Sequence, residues 1–328
     1  MEKQRKYVSL SILGGCFLAI GGAAQAKDIT IGWTSYPADL TVIADAIDGA
    51  NSAAERLGVN MKYGLSAGAV AQANAIDNLL ASGIDVLAID PEDSTAVGTS
   101  VKRANEAGVP VIMGMGDTLG GGETATLIGS DEAQGGYKIA KWGFESMGGS
   151  GPVALIQGAI AHQAGALREE GFRKALKEYP NIKLVAYGEG GWARDRAAAL
   201  ASDMLSKAPD VKIIFSLSDD MAGGVVSSVK TSGTSAAVVG YNGSCEVLNK
   251  IWNGEIKATL YQGWRDIGTK VVETGLAIAN QEKVEKKIVM PSLVIDKEVM
   301  EKVQGGEAEG VTDSLKVDVK NAIAGCKS

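Results

Sequence analysis

Residues 86–113 read VLAIDPEDSTAVGTSVKRANEAGVPVIM. Two short apolar runs, at 86–89 and 109–113, flank an Ala-bearing amphipathic stretch at 95–106. The runs are continuous rather than alternating, which is the pattern of strands covered on both faces. A strand, a helix and a second strand in this order make a parallel unit, because a helical crossover is what joins parallel strands.

The same alternation continues on both sides. Strand-like runs are expected at 29–33, 60–63, 153–157, 182–187, 212–215, 237–241 and 257–261. Helical stretches are expected at 41–57, 69–81, 135–147, 166–179, 194–207, 219–231 and 266–280. The class is therefore α/β with parallel sheets. A Gly-rich break at Met147-Gly148-Gly149-Ser150-Gly151-Pro152 divides the series into halves of similar make-up. Two doubly wound domains are expected rather than one large sheet. The chain from Lys297 onward is charged and less periodic, and reads as a C-terminal tail.

Residues 1–26 have the anatomy of a secretory signal: Lys3, Arg5 and Lys6, an apolar run, then Ala24-Gln25-Ala26. The 328-residue chain carries a formal charge of −7, and without that segment about −9. An acidic, exported protein is a poor partner for nucleic acid or anionic lipid. Cys16 lies in Leu13-Gly14-Gly15-Cys16, which resembles a lipoprotein box, so a lipid anchor at Cys16 is the alternative to free release after Ala26. Cys245 and Cys326 either form one disulfide, as an even pair in an oxidising compartment suggests, or stay as two thiols.

Open parallel sheets bind ligands at the carboxyl ends of their strands. The residues there are Trp33, Tyr36 and Asp39; Asp90; Met115 and Asp117; His162; Trp192; Ser218 and Asp219; Asn242; and Gln262 with Trp264. Rings, amides and carboxylates suit neutral polyhydroxyl ligands: a ring face covers C–H groups, and planar polar groups bond the hydroxyls. Trp192, after Gly190-Gly191, either stacks on ligand or packs its loop. Trp33 is equally suited to the core, and Trp264 to a hinge or the core. Ser218-Asp219-Asp220 doubles as a helix cap. His162, the only histidine, has no partners in sequence for a zinc site. Gly120-Gly121-Gly122 lacks the Gly-Lys-Ser/Thr of a phosphate loop, and no Gly-x-Ser-x-Gly elbow occurs.

At these residues the chain resembles the periplasmic sugar-binding proteins of ABC transporters, of the ribose-binding-like type I group. The likeness runs through most of the chain to about Val294. It is carried by Asp48-Gly49-Ala50-Asn51 with Glu55-Arg56-Leu57-Gly58, by Asp90-Pro91-Glu92-Asp93-Ser94, and by Ala107-Gly108-Val109-Pro110-Val111-Ile112. It continues in Ile128-Gly129-Ser130-Asp131, Gly171-Phe172, Ser218-Asp219-Asp220-Met221-Ala222 and Val238-Val239-Gly240-Tyr241-Asn242-Gly243. The resemblance implies two lobes joined by a three-strand hinge, crossing near 129–131, 262–264 and 293–295. It implies residues 27–130 plus 263–293 in the first lobe, and 131–262 plus 294–328 in the second.

The candidate ligand residues are Trp33, Tyr36, Asp39, Asp117, His162, Arg168, Trp192, Ser218, Asn242 and Gln262; of these the resemblance carries over Trp192, Asn242 and Gln262, with Ser218 in place of a common Asn. Departures are also visible. The family's frequent Asp-Arg pair after the fourth strand is here Met115-Gly116-Asp117, with no arginine, and Ala166 stands where the family has an arginine, with Arg168 two residues on. Fewer arginine forks mean fewer hydroxyl clamps. The implied protein is a monomeric, non-enzymatic periplasmic receptor without a cofactor. It would capture a small neutral sugar, polyol or sugar-like ligand and deliver it to an ABC permease. Presenting that ligand to a chemoreceptor or sensor kinase is the second reading, and a secreted enzyme the third.

Overall fold

The computed structural model describes residues 28–38, 40–307 and 311–326. The chain first lays down β1 (Thr30–Ser35), α1 (Thr41–Leu57), β2 (Asn60–Leu65), α2 (Ala69–Ala81), β3 (Val86–Ile89), α3 (Val97–Glu106), β4 (Val111–Gly114) and β5 (Thr126–Ser130). It then enters a second unit: α4 (Glu132–Ser146), β6 (Gly151–Gln157), α5 (Gln163–Glu178), β7 (Ile182–Glu189), α6 (Arg194–Lys207), β8 (Ile213–Ser216), α7 (Asp219–Ser232), β9 (Ala237–Asn242), α8 (Cys245–Trp252) and β10 (Ala258–Tyr261). It returns to the first unit as α9 (Trp264–Ala279) and β11 (Lys287–Met290). The second unit is completed by β12 (Leu293–Asp296), α10 (Lys297–Gly305) and α11 (Asp313–Ile323).

Two six-stranded sheets result, in the orders β11-β5-β4-β3-β1-β2 and β12-β10-β9-β8-β6-β7. The order is the same in each half, and every pairing is parallel except β10 with β12. This is the expected doubly wound α/β architecture in two copies. The strand order reverses direction at β1/β3 in one sheet and at β6/β8 in the other. Each reversal opens a crevice at the strand carboxyl ends.

The continuous apolar runs are explained by burial on both faces. In β3, Val86 and Ala88 face the core under α1 and α9, whereas Leu87 and Ile89 face the core under α2 and α3. In β6, Ala154 and Ile156 divide from Val153 and Leu155 in the same way. Outer helices approach backbone to backbone through glycine. A Cβ on Gly268 would lie 1.9 Å from the Ala46 carbonyl oxygen, and one on Gly171 would lie 2.0 Å from that of Ala133. The first contact joins α9 to α1; the second joins α5 to α4.

The chain passes between units at Asp131, at Gln262 and Gly263, and at Pro291 and Ser292. The last passage precedes the expected 293–295, because Leu293 already pairs with Tyr261 in the second sheet. Pro291, with no N–H to donate, suits the unpaired position between ladders.

The expected C-terminal tail is a correction. From Lys297 the chain folds into α10 and α11, and Met300, Val303, Leu315, Val319 and Ala322 are buried in the second unit's core. Their apolar positions are sparse among charges because only one stripe of each helix faces inward. Cys326 is bonded to Cys245 at the start of α8, with the Cα atoms 5.8 Å apart. Arg265, at the start of α9, ion-pairs with Asp45 and Asp48 of α1 and with Asp318 of α11. Residues 1–26, including Cys16 and the cleavage motif, lie outside the described residues, as does Asp39.

Candidate ligand-binding site

A cavity of about 60 Å³ lies where the two crevices face each other. The first unit lines it with Tyr36, Leu40, Val42, Ile43, Asp90, Met115 and Trp264. The second contributes His162, Ala164, Arg168, Trp192, Ser218, Asp220 and Asn242. Three lining residues, Met115 (φ 57°), Trp192 (φ 66°) and Asn242 (φ 124°), have positive φ without being glycine. Left-handed backbone costs energy for residues with a Cβ and tends to collect at working sites. Here it turns side chains at the ends of strands into the pocket.

The second unit's wall is a buried polar network. Glu132, the first residue of α4, is 3% exposed, and its Oε2 accepts from Arg168 Nε at 2.7 Å and from the Tyr241 hydroxyl at 2.8 Å. Its Oε1 accepts from Gln262 Nε2 at 2.9 Å. Gln262 Oε1 in turn accepts from Asn242 Nδ2 at 2.9 Å. Arg168 also donates to the Leu217 carbonyl at 2.8 Å, and its guanidinium stacks 4.0 Å from the Tyr241 ring centroid. Five side chains from α4, α5, β9 and the second passage are thereby locked together. Asp219 stands behind them: its carboxylate accepts from the backbone N–H groups of Gly243 and Ser244 and from the Thr259 hydroxyl. Burial pushes the Asp219 carboxyl up to about 6, and those bonds pull the other way.

His162 caps α5: its Nδ1 accepts from the Ala164 N–H at 3.0 Å, so the neutral ring carries its proton on Nε2. Burial, followed by the Arg168 charge, depresses its pKa to about 3. The ring meets Trp192 edge-on at 5.9 Å and faces Tyr36 of the other unit at 6.1 Å. Trp192 lies against Gly158, where a Cβ would come within 1.8 Å of the indole. On the first unit's wall, Asp90 Oδ2 accepts from Trp33 Nε1 at 3.0 Å, and Gln72 bonds the Asp90 carbonyl at 2.7 Å. The Tyr36 hydroxyl donates to the Pro91 carbonyl at 3.1 Å.

Beside the pocket the units clasp each other. The Ser94 N–H donates to the Ala161 carbonyl at 3.1 Å, and the Gln163 N–H donates to Ser94 Oγ at 3.1 Å. The Asp117 N–H donates to Gln163 Oε1 at 2.8 Å.

Of the sequence-derived ligand candidates, Tyr36, His162, Arg168, Trp192, Ser218 and Asn242 come together around this cavity. Trp33 is buried beneath it, holding Asp90, and Gln262 stands behind Asn242. Asp117 is part of the clasp, with its carboxylate accepting from the Thr118 N–H. Glu132 and Tyr241 were absent from the sequence-derived set. The only local hint at Glu132 is its place beside Asp131, which caps α4.

Residues 31–283 match the family described as periplasmic binding protein domain. The chain belongs to the periplasmic binding protein family. Among curated relatives of this periplasmic binding protein, the ribose import binding protein of Escherichia coli K12 is 30% identical over 289 residues, spanning 88% of this chain and 96% of that protein. The xylitol-binding protein of Mycolicibacterium smegmatis is 25% identical, spanning 84% of this chain and 79% of that protein. Among solved structures, a periplasmic solute-binding protein of an ABC transporter from Actinobacillus succinogenes, with bound D-allose, superposes with TM-score 0.78 at 25% identity. That match covers 83% of this chain and 98% of the other. These relatives are binding proteins, and the described residues contain no helix long and apolar enough to cross a membrane.

Proposed function

We propose that this protein is an extracytoplasmic receptor that captures a small sugar, polyol or sugar-like molecule between its two units and delivers it to an ABC permease. The observation that carries the reading is the cavity at the facing strand ends, walled by Tyr36 on one side and Trp192 on the other. Aromatic faces cover the C–H side of a hydroxylated ring, and the Arg168–Asn242 wall supplies polar edges. The named relatives bind ribose, xylitol and D-allose, which supports the class.

Binding shifts the population between open and closed arrangements about the three passages, because the closed form alone brings both walls onto the ligand. The closed form presents one face to the permease. Val70 and Leu119 on one unit and Ile160 on the other are exposed at the strand carboxyl ends, apolar surface of the kind a partner covers. Export by cleavage after Ala26 completes the reading, and the mass of the mature N-terminus separates it from an anchor at Cys16.

The test is a thermal-shift and tryptophan-fluorescence screen of the exported protein against pentoses, hexoses, polyols and inositols. A hit should raise the melting temperature and change the emission of Trp192 and Trp264. Silence across the panel would sink the sugar class.

A further inference from the structure

Taking that reading as its base, we infer that the ligand carries a protonated amine on its hydroxylated frame, an amino-polyol or amino sugar, with the ammonium set against Asp90. The pocket's charges point this way. Among the described residues its one lining cation is Arg168, which is balanced by Glu132 at 2.7 Å and tied to the Leu217 carbonyl. The lining histidine, His162, is neutral, with its Nδ1 committed to the Ala164 N–H. Among the described residues the lining carboxylates are Asp90 and Asp220, the latter 3.9 Å from Arg194 on the outer side.

Asp90 is the group a cation would complete. It is 3% exposed, and Oδ2 holds the Trp33 N–H. The groups around it are Trp33 and Ser35 on β1, Tyr36 after it, Gln72 on α2 and Glu92 on its own loop, with His162 and Arg168 across the cavity. Among the described residues, no lysine or arginine bonds to it. A buried carboxylate without a cation is costly, and burial pushes this one up to about 6, against the pull of Ser35 and Trp33. An ammonium beside it would restore the charged form.

The rest of the lining suits the same ligand. Tyr36, Trp192 and Trp264 line the cavity with aromatic carbon for the ligand's frame, and Arg168 already stands 5.3 Å over the Trp192 ring. Two donors remain for hydroxyl oxygens: the Trp264 indole N–H is buried without a partner, and the Ser218 hydroxyl makes no capping bond to α7. Anionic sugars meet two carboxylates and an arginine that is already neutralised, so the pocket rejects them.

Matched pairs test the inference by calorimetry on the exported protein: glucamine with sorbitol, glucosamine with glucose, and galactosamine with galactose, with N-acetylglucosamine as the uncharged control. We expect an amine to bind about tenfold or more tighter than its hydroxyl counterpart, as a charge-assisted bond would give. N-acetylation and Asp90→Asn should each remove the preference. The amine's affinity should also fall as pH drops through about 6 and Asp90 takes up a proton, while that of the neutral partner stays level. A neutral member that binds as tightly as its amine, or a preference that survives Asp90→Asn, overturns the amine and leaves the sugar receptor standing. Binding by neither member of any pair overturns both.

Discussion

Glu132→Gln is the substitution that most directly probes how the pocket wall is held. The glutamine is nearly isosteric, so packing is kept while the charge is removed. Glu132 Oε2 serves two donors, Arg168 Nε and the Tyr241 hydroxyl, and Oε1 serves Gln262 Nε2. A glutamine has one acceptor oxygen and an NH₂. If the oxygen stays with Arg168 and Tyr241, the NH₂ confronts the NH₂ of Gln262. Gln262 must then turn over, which withdraws its oxygen from Asn242. Arg168, 4% exposed, is left charged without the carboxylate it pairs with. Breaking one side of a buried pair costs about 3–5 kcal/mol, far more than the pair is worth against an apolar replacement. We therefore expect Glu132→Gln to lose about 3 kcal/mol or more in urea titrations followed by tryptophan fluorescence. Arg168→Met should lose a similar amount. The double variant should recover, with a coupling of at least about 2 kcal/mol. If the two losses add to within about 0.5 kcal/mol, the residues do not act as a pair and the account of the wall is wrong.

Other outcomes follow from single features. His162, held at about 3 by burial, is neutral in the folded chain where the unfolded chain would be protonated, so its contribution to stability is lost as pH falls from about 6.5 toward 3. Relative to its own stability at neutral pH, His162→Gln should therefore gain about 3 kcal/mol over the parent at about pH 4; parallel pH profiles would refute this. Buried Asp90 and Asp219 act with the opposite sign between about 4 and 6, which is why the comparison is made between variant and parent. Replacing Cys245 and Cys326 by serine opens a loop spanning 81 positions and should lower stability by about 2–4 kcal/mol. An unchanged urea midpoint would show that α11 needs no bond to stay docked. Gly268→Ala places a methyl on the Ala46 carbonyl oxygen, so α9 must retreat from α1 at a cost of about 1–3 kcal/mol; a neutral result would mean that the two helices separate freely.

The sequence pattern was most legible where helices were long and one-sided. The bounds of α1, α2 and α6 follow directly from their Ala-rich amphipathic runs. It was least legible at the margins of the sheets. β11 and β12 are edge strands that mix exposed with buried residues, and β5 (TLIGS) is broken by Gly129, so none shows the unbroken buried run that marks β3 or β8. α8 has eight residues and follows directly on a strand end, and α10 and α11 hide a narrow apolar stripe among charges. At the site, the rule that ligands meet strand ends found the loops that line the cavity but could not say which side chain turns inward. Trp33 and Tyr36 are three residues apart, yet one anchors Asp90 from below while the other lines the pocket. Glu132 looks like an ordinary surface charge in sequence, and Arg168, read there as a ligand contact, gives no sign of a partner 36 residues away. Only the packing of α4 on α5, brought close by Gly136 and Gly171, makes them a buried pair.

The clasp of Ser94, Asp117, Ala161 and Gln163 has a kinetic meaning. Its bonds join the units beside the cavity rather than within it, so they contribute to the closed form whichever molecule is inside. A captive ligand leaves only after these bonds yield, and its residence time is then governed by a rim that never touches it. Pocket substitutions would alter which molecule is chosen; rim substitutions would alter how long any chosen molecule is kept, and so how much time a transporter has to collect it.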